Sequence, residues 1–209
     1  MAGLKQDRAL KTREAILRAA AETFDELGFH GASISMIMGR AGVTQGGMYF
    51  HFKSKQDLAR CVMLAQADYV QLPPGEDGLQ RLIDITFHVG RELQQNVLFR
   101  AGVRLAVEQG EFGLQDDTAY QQWVEQFHGL LLVARERGEL LPGVDEREFA
   151  QVLVGAYSGT QLFSQIATGR TDLPQRIAAL WKYFLPCIAT PRTLARLRAT
   201  PEPDRPGTP

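Results

Sequence analysis

Apolar residues recur at helical spacing along most of this chain, and near its start they predict two consecutive helices. Between residues 10 and 27 they fall at steps of three, four or seven, which draws one stripe along a helix. Gly28 is predicted to end that helix. The second helix is predicted over residues 33–41, with Ser33 as its N-cap and Gly42 as the break that follows.

Capping residues predict two further helices. Thr44 can cap a very short third helix over residues 45–50, and Ser54 with Asp57 forms a capping box for a fourth. Two prolines within residues 71–75 end the fourth helix, because proline lacks an N–H and restricts the residue before it. The residues that the fourth helix is predicted to bury are Leu58, Cys61, Val62, Ala65 and Tyr69.

The remainder of the chain also shows helical spacing, without the alternation that is typical of strands. The predicted helices cover about residues 79–95, 98–110, 117–137, 146–169 and 172–185, with a short one from Pro191. Asp145 with Glu148 forms another capping pattern, and Gly138 and Gly169 are suited to helix C-caps. The sequence therefore predicts an all-α fold of about ten helices.

Three segments are predicted from these elements. Residues 1–55 contain the first three helices, and residues 56–199 form a larger helical body. The proline-rich segment 200–209 is predicted to be a disordered tail.

Composition is that of an ordinary globular protein: 44% of the 209 residues are hydrophobic and 22% are charged. No uninterrupted apolar run is long enough to span a membrane, and the first residues lack an apolar signal stretch. Cys61 and Cys187 lie far apart, outside any metal-ligand or redox spacing. We therefore expect a cytoplasmic protein with reduced thiols, no metal and no cofactor.

Charge is unevenly distributed, although the net charge is only −1. Residues 1–60 carry nine lysines and arginines against six acidic residues, whereas the rest of the chain carries 14 against 18. A basic first segment suits phosphate binding, and an acidic remainder discourages nonspecific adhesion of the body to DNA.

Residues 33–50 combine two helices with a glycine-containing turn, which is the arrangement that reads the major groove. Gln45 is the best candidate for a base contact, because a carboxamide can pair with adenine through two hydrogen bonds. The glycines allow the backbone to approach phosphate, and the hydroxyls can bind it. The candidate DNA-binding residues in this segment are Ser33, Thr44, Gln45, Gly46, Gly47 and Tyr49.

Basic residues flank this motif on both sides. His51, Lys53 and Lys55 follow it directly and would set affinity rather than sequence preference. The N-terminal arm contributes Lys5, Arg8, Lys11 and Arg13, of which Arg13 is included among the candidate DNA contacts. The alternative for each of them is an ordinary basic residue on a solvated helix.

A family resemblance extends without gaps through residues 10–58. It is carried by Thr12–Leu17, Phe24, Gly28–Phe29, Ile37, Ala41–Thr44 and Tyr49–Lys55. These residues resemble the N-terminal signature of the TetR family of bacterial regulators. The resemblance implies an obligate dimer, a three-helix DNA-binding head, a fourth helix that links head to body, and repression relieved by a ligand.

The start of the third helix departs from that pattern. Many relatives carry lysine at the position of Gln45 and alanine at that of Gly47. The operator sequence that those relatives prefer therefore cannot be assigned to this chain. Two glycines in so short a helix cost roughly 1 kcal/mol each relative to alanine. We therefore expect a recognition helix that frays when free and becomes ordered on DNA.

The body resembles one subgroup of the same family. Residues 100–105, 122–127 and 153–161 resemble the γ-butyrolactone autoregulator receptors. The resemblance implies that Trp123 lines a cavity for a small lactone, butenolide or furan with an alkyl tail. Such ligands control antibiotic production and development in filamentous bacteria.

A pocket for such a ligand needs an apolar sleeve and a few polar groups. Ser158 is the preferred polar contact, since its predicted helix is apolar nearly all round. The apolar candidates are Phe87, Trp123, Phe127 and Leu162, and the polar ones are Gln66, Ser158, Thr160 and Gln161. Ordinary core packing is the alternative for each of them.

Small residues on the helix over residues 146–169 predict a dimer interface. Gly155, Ala156 and Gly159 permit close helix approach, and the facing helix would contribute Leu180, Trp181 and Phe184. A family-like dimer places two recognition helices about one DNA turn apart on a pseudo-palindromic operator.

Two other functions remain open. One is a pseudo-receptor of the same fold that answers to an antibiotic or to no ligand. The other is a small hydrolase that uses His88 or His128, but neither histidine lies in a recognisable catalytic motif, so the sequence favours a protein that is not an enzyme.

Overall fold

Helix dominates the computed structural model, which describes residues 2–66, 70, 72 and 75–200. Over these residues it contains ten α-helices and no strand beyond an isolated bridge between Leu140 and Ala189, so the all-α prediction is confirmed. The helices are α1 Ala2–Gly31, α2 Ile34–Ala41, α3 Gln45–His51, α4 Lys55–Leu64, α5 Leu79–Gln95, α6 Val97–Glu108, α7 Thr118–Glu136, α8 Glu146–Thr168, α9 Leu173–Ile188 and α10 Pro191–Leu194.

The predicted end of the first helix at Gly28 is wrong in part. Gly28 adopts φ 70° and ψ 179°, a conformation open to glycine alone, but helix resumes after it and continues to Gly31. The glycine therefore kinks α1 instead of ending it. Local pattern could not show this, because the residues that hold the kink come from a distant helix.

Side-chain caps delimit the next helices as predicted. The Ser33 hydroxyl accepts a hydrogen bond from the backbone N–H of Met36 at 3.2 Å, and Gly42 ends α2 in the left-handed conformation. The Thr44 hydroxyl accepts a hydrogen bond from the N–H of Gly47 at 3.2 Å at the start of α3. These caps supply partners for N–H groups that a helix end leaves open.

The capping box of α4 is also present. The N–H of Asp57 donates to the Ser54 hydroxyl at 3.1 Å, and the Asp57 carboxylate accepts from the N–H of Lys53 at 2.8 Å. The helix ends at Leu64, earlier than the prolines suggested, and residues 65 and 66 continue as a 3-10 turn. Cys61 and Ala65 are half-buried instead of buried, and Tyr69 lies outside the described residues.

The chain divides into two compact units. The first unit comprises residues 1–71 and 95–119, and the second comprises residues 72–94 and 120–209, as far as these ranges are described. Packing thus places α6 with α1 to α4. The functional boundary predicted after residue 55 stays a prediction, and residues 201–209 of the predicted tail lie outside the described part of the chain.

Within the first unit, α6 packs directly against α1 and α4. Gly102 faces α4 so closely that a Cβ there would lie 2.7 Å from the Cβ of Gln66 and 3.1 Å from the carbonyl oxygen of Val62. No side chain larger than hydrogen fits at that contact. The fully buried side chains that form the core of this unit include Ile16, Phe24, Ile37, Met48, Phe52, Leu58, Met63 and Phe99.

The second unit is a bundle of the remaining helices around Trp181. The Trp181 indole is fully buried (0% exposed), and its Nε1 donates to the Thr86 hydroxyl at 2.7 Å. The Tyr157 hydroxyl donates to the Thr86 carbonyl oxygen at 2.9 Å, and burial raises the pKa of Tyr157 far above its usual range. Trp181 is therefore core, and its predicted place in the dimer interface is wrong.

None of the helices in the described part of the chain is long and apolar enough to cross a lipid bilayer.

Candidate functional site

The recognition helix α3 is anchored by one side chain and exposes the others. Met48 is fully buried in the first unit, while Gln45, Gly46 and Tyr49 are exposed and Gly47 is half-buried. At about 100° per residue, the face opposite Met48 belongs to Gly46 and to the residue one turn later, Phe50. The outward face of α3 thus combines bare backbone and the Phe50 ring, with the exposed Gln45 and Tyr49 on its flanks.

The side-chain oxygens of Ser33 and Thr44 are engaged in helix capping. Each oxygen accepts an N–H of its own helix, so only the hydroxyl proton remains for an external acceptor such as phosphate. Their assignment as DNA contacts stays a prediction.

Two of the predicted basic contacts rest on aromatic rings. The Arg13 guanidinium lies 5.3 Å from the centroid of the Phe52 ring, and the Lys55 ammonium lies 4.3 Å from that of Phe29. Partial burial lowers the pKa of Lys55. Both cations are thus attracted to the face of a ring, and their assignment as DNA contacts stays a prediction.

The other basic residues are less constrained. Arg8, Lys11 and Lys53 are exposed, and His51 is half-buried with its ring 4.9 Å from that of Phe50. The side chain of Lys5 lies outside the described part of the structure.

Phe50 is the residue of this surface that the sequence analysis missed. Its side chain is 78% exposed, although phenylalanine is ordinarily buried. The sequence could have indicated this exposure. Once Met48 is placed in the core, a residue two positions later points about 200° away from it round the helix.

Three residues of α6, which we call the α6 clamp, hold the end of α1 next to the kink. They are Arg100, Arg104 and Glu108. Arg100 pairs with the Asp25 carboxylate at 2.6 Å, and Arg104 donates to the Asp25 carbonyl oxygen at 2.7 Å. Their spacing of four residues places them on one face of the helix.

Glu108 completes the clamp on the far side of the kink. Its carboxylate accepts from the backbone N–H of Phe29 at 3.0 Å and from the Arg104 guanidinium at 2.6 Å. Because Phe29 and Asp25 lie on either side of Gly28, a movement of α6 would act directly on the bent segment.

In the second unit, the apolar ligand candidates separate into two groups. Phe87 and Phe127 are buried, and Trp123 is half-buried with its ring 5.8 Å from that of Phe127. Leu162 is 39% exposed on the outer face of α8, so its predicted place in an apolar sleeve is wrong.

Two of the polar ligand candidates already form hydrogen bonds within the protein. The Ser158 hydroxyl donates to the carbonyl oxygen of Val154 at 2.8 Å, so the premise that a serine on this helix needs an outside partner is wrong. Gln161 is buried and its side-chain oxygen accepts from the Arg170 guanidinium at 3.1 Å. Thr160 is half-buried, and Gln66 is buried within the first unit.

Arg170 is a second residue that the sequence analysis missed. It is buried, and its backbone adopts φ 71°, which is rare for residues other than glycine. Its carbonyl oxygen accepts from the Gln94 side chain at 2.6 Å. The residue thereby joins the end of α8 to α5.

A cleft of about 370 Å³ opens between α5 and α7 in the second unit. Ile85 and Leu130 supply apolar walls, and Arg81, Glu125 and Gln126 supply polar ones. Trp123 and Phe127 are not among its described lining residues, but they lie on the same stretch of α7.

Exposed apolar residues form one stripe on α8 and α9, which we call the α8–α9 face. Gly155 and Gly159 are exposed on it, whereas Ala156, Leu180 and Phe184 are half-buried, and the assignment of these residues to a dimer interface stays a prediction. The large exposed side chains of the face are Val152, Phe163, Ile166 and Tyr183. A stripe of this size on a protein surface is typical of an interaction site.

Gly46→Ala should stabilise α3. Among the described residues no atom lies within 4 Å of the position a Cβ would take, and alanine is favoured over glycine in a helix by about 1 kcal/mol. We expect slower amide hydrogen exchange in α3 of the free protein. Gly39→Ala is the control, because it adds the same methyl to an open site on α2; equal exchange in α3 for both variants would contradict the prediction.

Comparison with known proteins matches two family models. Residues 16–62 match the model described as bacterial regulatory proteins, tetR family, and residues 76–189 match the tetracyclin repressor-like C-terminal domain. Together the two matches cover the helix-turn-helix and the helices that carry the predicted pocket.

Individual relatives agree with these models. The chain is 37% identical over 194 residues to the A-factor receptor protein of Streptomyces griseus, covering 93% of this chain and 70% of that one. The structure of TylP, a TetR regulator from Streptomyces fradiae, matches with a TM-score of 0.82 and 38% identity, covering 92% and 93%. A gamma-butyrolactone receptor described as ArpA-like matches with a TM-score of 0.71 and 29% identity, covering 90% and 94%.

Proposed function

This chain belongs to the TetR family of DNA-binding transcription regulators, and on that premise we propose that it is a repressor released by a small γ-butyrolactone- or butenolide-like signal. It would bind a pseudo-palindromic operator as a dimer and control secondary metabolism. The observation that carries the proposal is the similarity to the A-factor receptor protein, which extends over both units.

The DNA contacts follow from the exposed face of α3. Gln45 is exposed at the start of the helix, where its carboxamide can pair with adenine in the major groove. Arg13, Lys53 and Lys55 supply phosphate contacts that set affinity and its dependence on salt. Gly46 leaves bare backbone between these groups, so the helix can approach the bases closely.

The ligand is proposed to bind the second unit next to Trp123. The ring of Trp123 lies 5.8 Å from that of the buried Phe127 on α7, and Phe87 is buried on α5. These side chains suit an alkyl tail. Ser158 and Gln161 already form hydrogen bonds within the protein, so Thr160 is the proposed polar contact from the second unit.

The α6 clamp would couple ligand binding in the second unit to DNA binding by the helix-turn-helix. The helix α6 directly follows α5 along the chain, and it grips both sides of the kink in α1. It also touches Gln66 through Gly102. A ligand that shifts α6 would therefore move the helix-turn-helix, and full release would need a preference of about 5.5 kcal/mol for the shifted state.

Gel retardation with the promoter DNA next to this protein's own gene tests the proposal. We expect a complex at low salt that dissociates when a synthetic γ-butyrolactone with an alkyl tail is added. Absence of any complex would refute the repressor function. A complex that the lactone does not dissociate, at a concentration that saturates the A-factor receptor protein, would refute the ligand class and favour the pseudo-receptor.

Trp123→Ala should separate DNA binding from release. We expect operator affinity within about twofold of the parent, and a lactone concentration for release that rises roughly 30-fold, since an aromatic anchor contributes about 2 kcal/mol to binding. Leu132→Ala on the exposed face of α7 is the matched control and should change neither quantity. Normal release from the Trp123 variant would place the ligand elsewhere.

A further inference from the structure

We propose that Phe50 reads thymine in the operator through apolar contact with the 5-methyl group in the major groove. This inference rests on the proposed function, since it requires a specific duplex. Nothing else in the described structure accounts for the position of this ring on the outer face of α3.

The exposure of Phe50 leaves its ring available to an external partner. The ring is 78% exposed, and the same helix buries Met48 completely, so α3 has a core side chain and does not need a second one. A phenyl ring left in water forgoes the favourable free energy that its burial would contribute. A contact that removes the ring from water on the DNA complex would recover that free energy.

The outer face of α3 is low at Gly46 and projects at Phe50. One turn earlier Gly46 has no side chain, and no described atom lies within 4 Å of where its Cβ would be. Base edges can therefore approach the backbone at Gly46, while the ring projects beyond it. The edge-to-face contact with His51, at 4.9 Å and 85°, limits the positions of the ring.

The chemistry of the ring selects its target. A phenyl group neither donates nor accepts a hydrogen bond, so it gains little from phosphate, whereas the thymine methyl is the apolar group that the major groove presents. Gln45 is exposed at the start of the same helix, about 140° round it from Phe50, and suits adenine. Both residues together favour half-sites that contain A·T pairs.

The test uses a duplex selected by the protein from a randomised pool, and the same duplex with each thymine replaced in turn by deoxyuridine, which lacks only the methyl. We expect at least one thymine per half-site at which the replacement weakens binding of the parent protein about fourfold, the value of one apolar methyl. Phe50→Ala should bind the thymine and deoxyuridine duplexes equally, and Phe50→Leu should keep part of the difference.

Val107→Ala, a substitution of another exposed apolar residue of the first unit, is the control and should keep the full difference. Thermal melting shows that the exposed substitutions leave the fold intact. The inference is overturned if Phe50→Ala keeps the parent's ratio, or if no deoxyuridine replacement weakens the parent. Failure to select any duplex would instead refute the proposed function.

Discussion

Gly28→Ala is expected to lower the free energy of unfolding by about 3 kcal/mol and to weaken operator binding. The backbone at Gly28 (φ 70°, ψ 179°) lies in a region that alanine avoids. A Cβ would also lie 2.6 Å from the Arg104 guanidinium. That group cannot simply swing away, because it donates to Glu108 and to the carbonyl oxygen of Asp25.

Urea denaturation and operator titration measure the two effects. Gly129→Ala is the matched control: this exposed glycine lies inside α7, no described atom falls within 4 Å of its Cβ position, and alanine should add about 1 kcal/mol of stability. In Gly28→Ala/Arg104→Ala the clash is relieved, but the backbone strain remains and the hydrogen bonds of Arg104 are lost, so the double variant should lose less stability than the two single variants added together. Parent-like stability of the single variant would contradict the role given to the kink.

Ile166→Glu should abolish the dimer and weaken operator binding by more than about 100-fold. Ile166 is 77% exposed on the α8–α9 face, and we propose that a second copy of the chain covers this face. A carboxylate there would be buried without a partner, at a cost of about 3 kcal/mol or more. A monomer can bind only one half-site of the operator, so it also loses the affinity that a dimer gains by binding two half-sites at once.

Sedimentation velocity and operator titration check this expectation. Leu132→Glu introduces the same charge at an exposed apolar residue of α7, away from the α8–α9 face, and should leave a dimer with normal affinity. If Ile166→Glu remained dimeric, the interface would have to lie elsewhere on the second unit.

Helix positions were predictable because their determinants lie close together in the chain. Ser33, Thr44 and Asp145 each accept a hydrogen bond from an N–H three residues later, so each cap can be predicted from residues that are close in sequence. The helix-turn-helix and its family followed from the same short segment, and the family models confirmed both.

Individual side-chain roles were harder to predict. Ser158 meets its hydrogen-bonding need on its own helix, Leu162 faces outward and Trp181 faces the core. Periodicity marks which residues of a helix share a face, but α8 and α9 are apolar on more than one face. Which face is buried depends on the neighbouring helices.

Neighbouring residues along the chain therefore decide where most helices begin and end and which family the head belongs to. Packing decides that α1 bends at Gly28, that α6 grips the bend and that Phe50 stays outside. The reason is distance along the chain: Asp25 and Arg100 are 75 residues apart, and their pairing exists only once both helices have found each other.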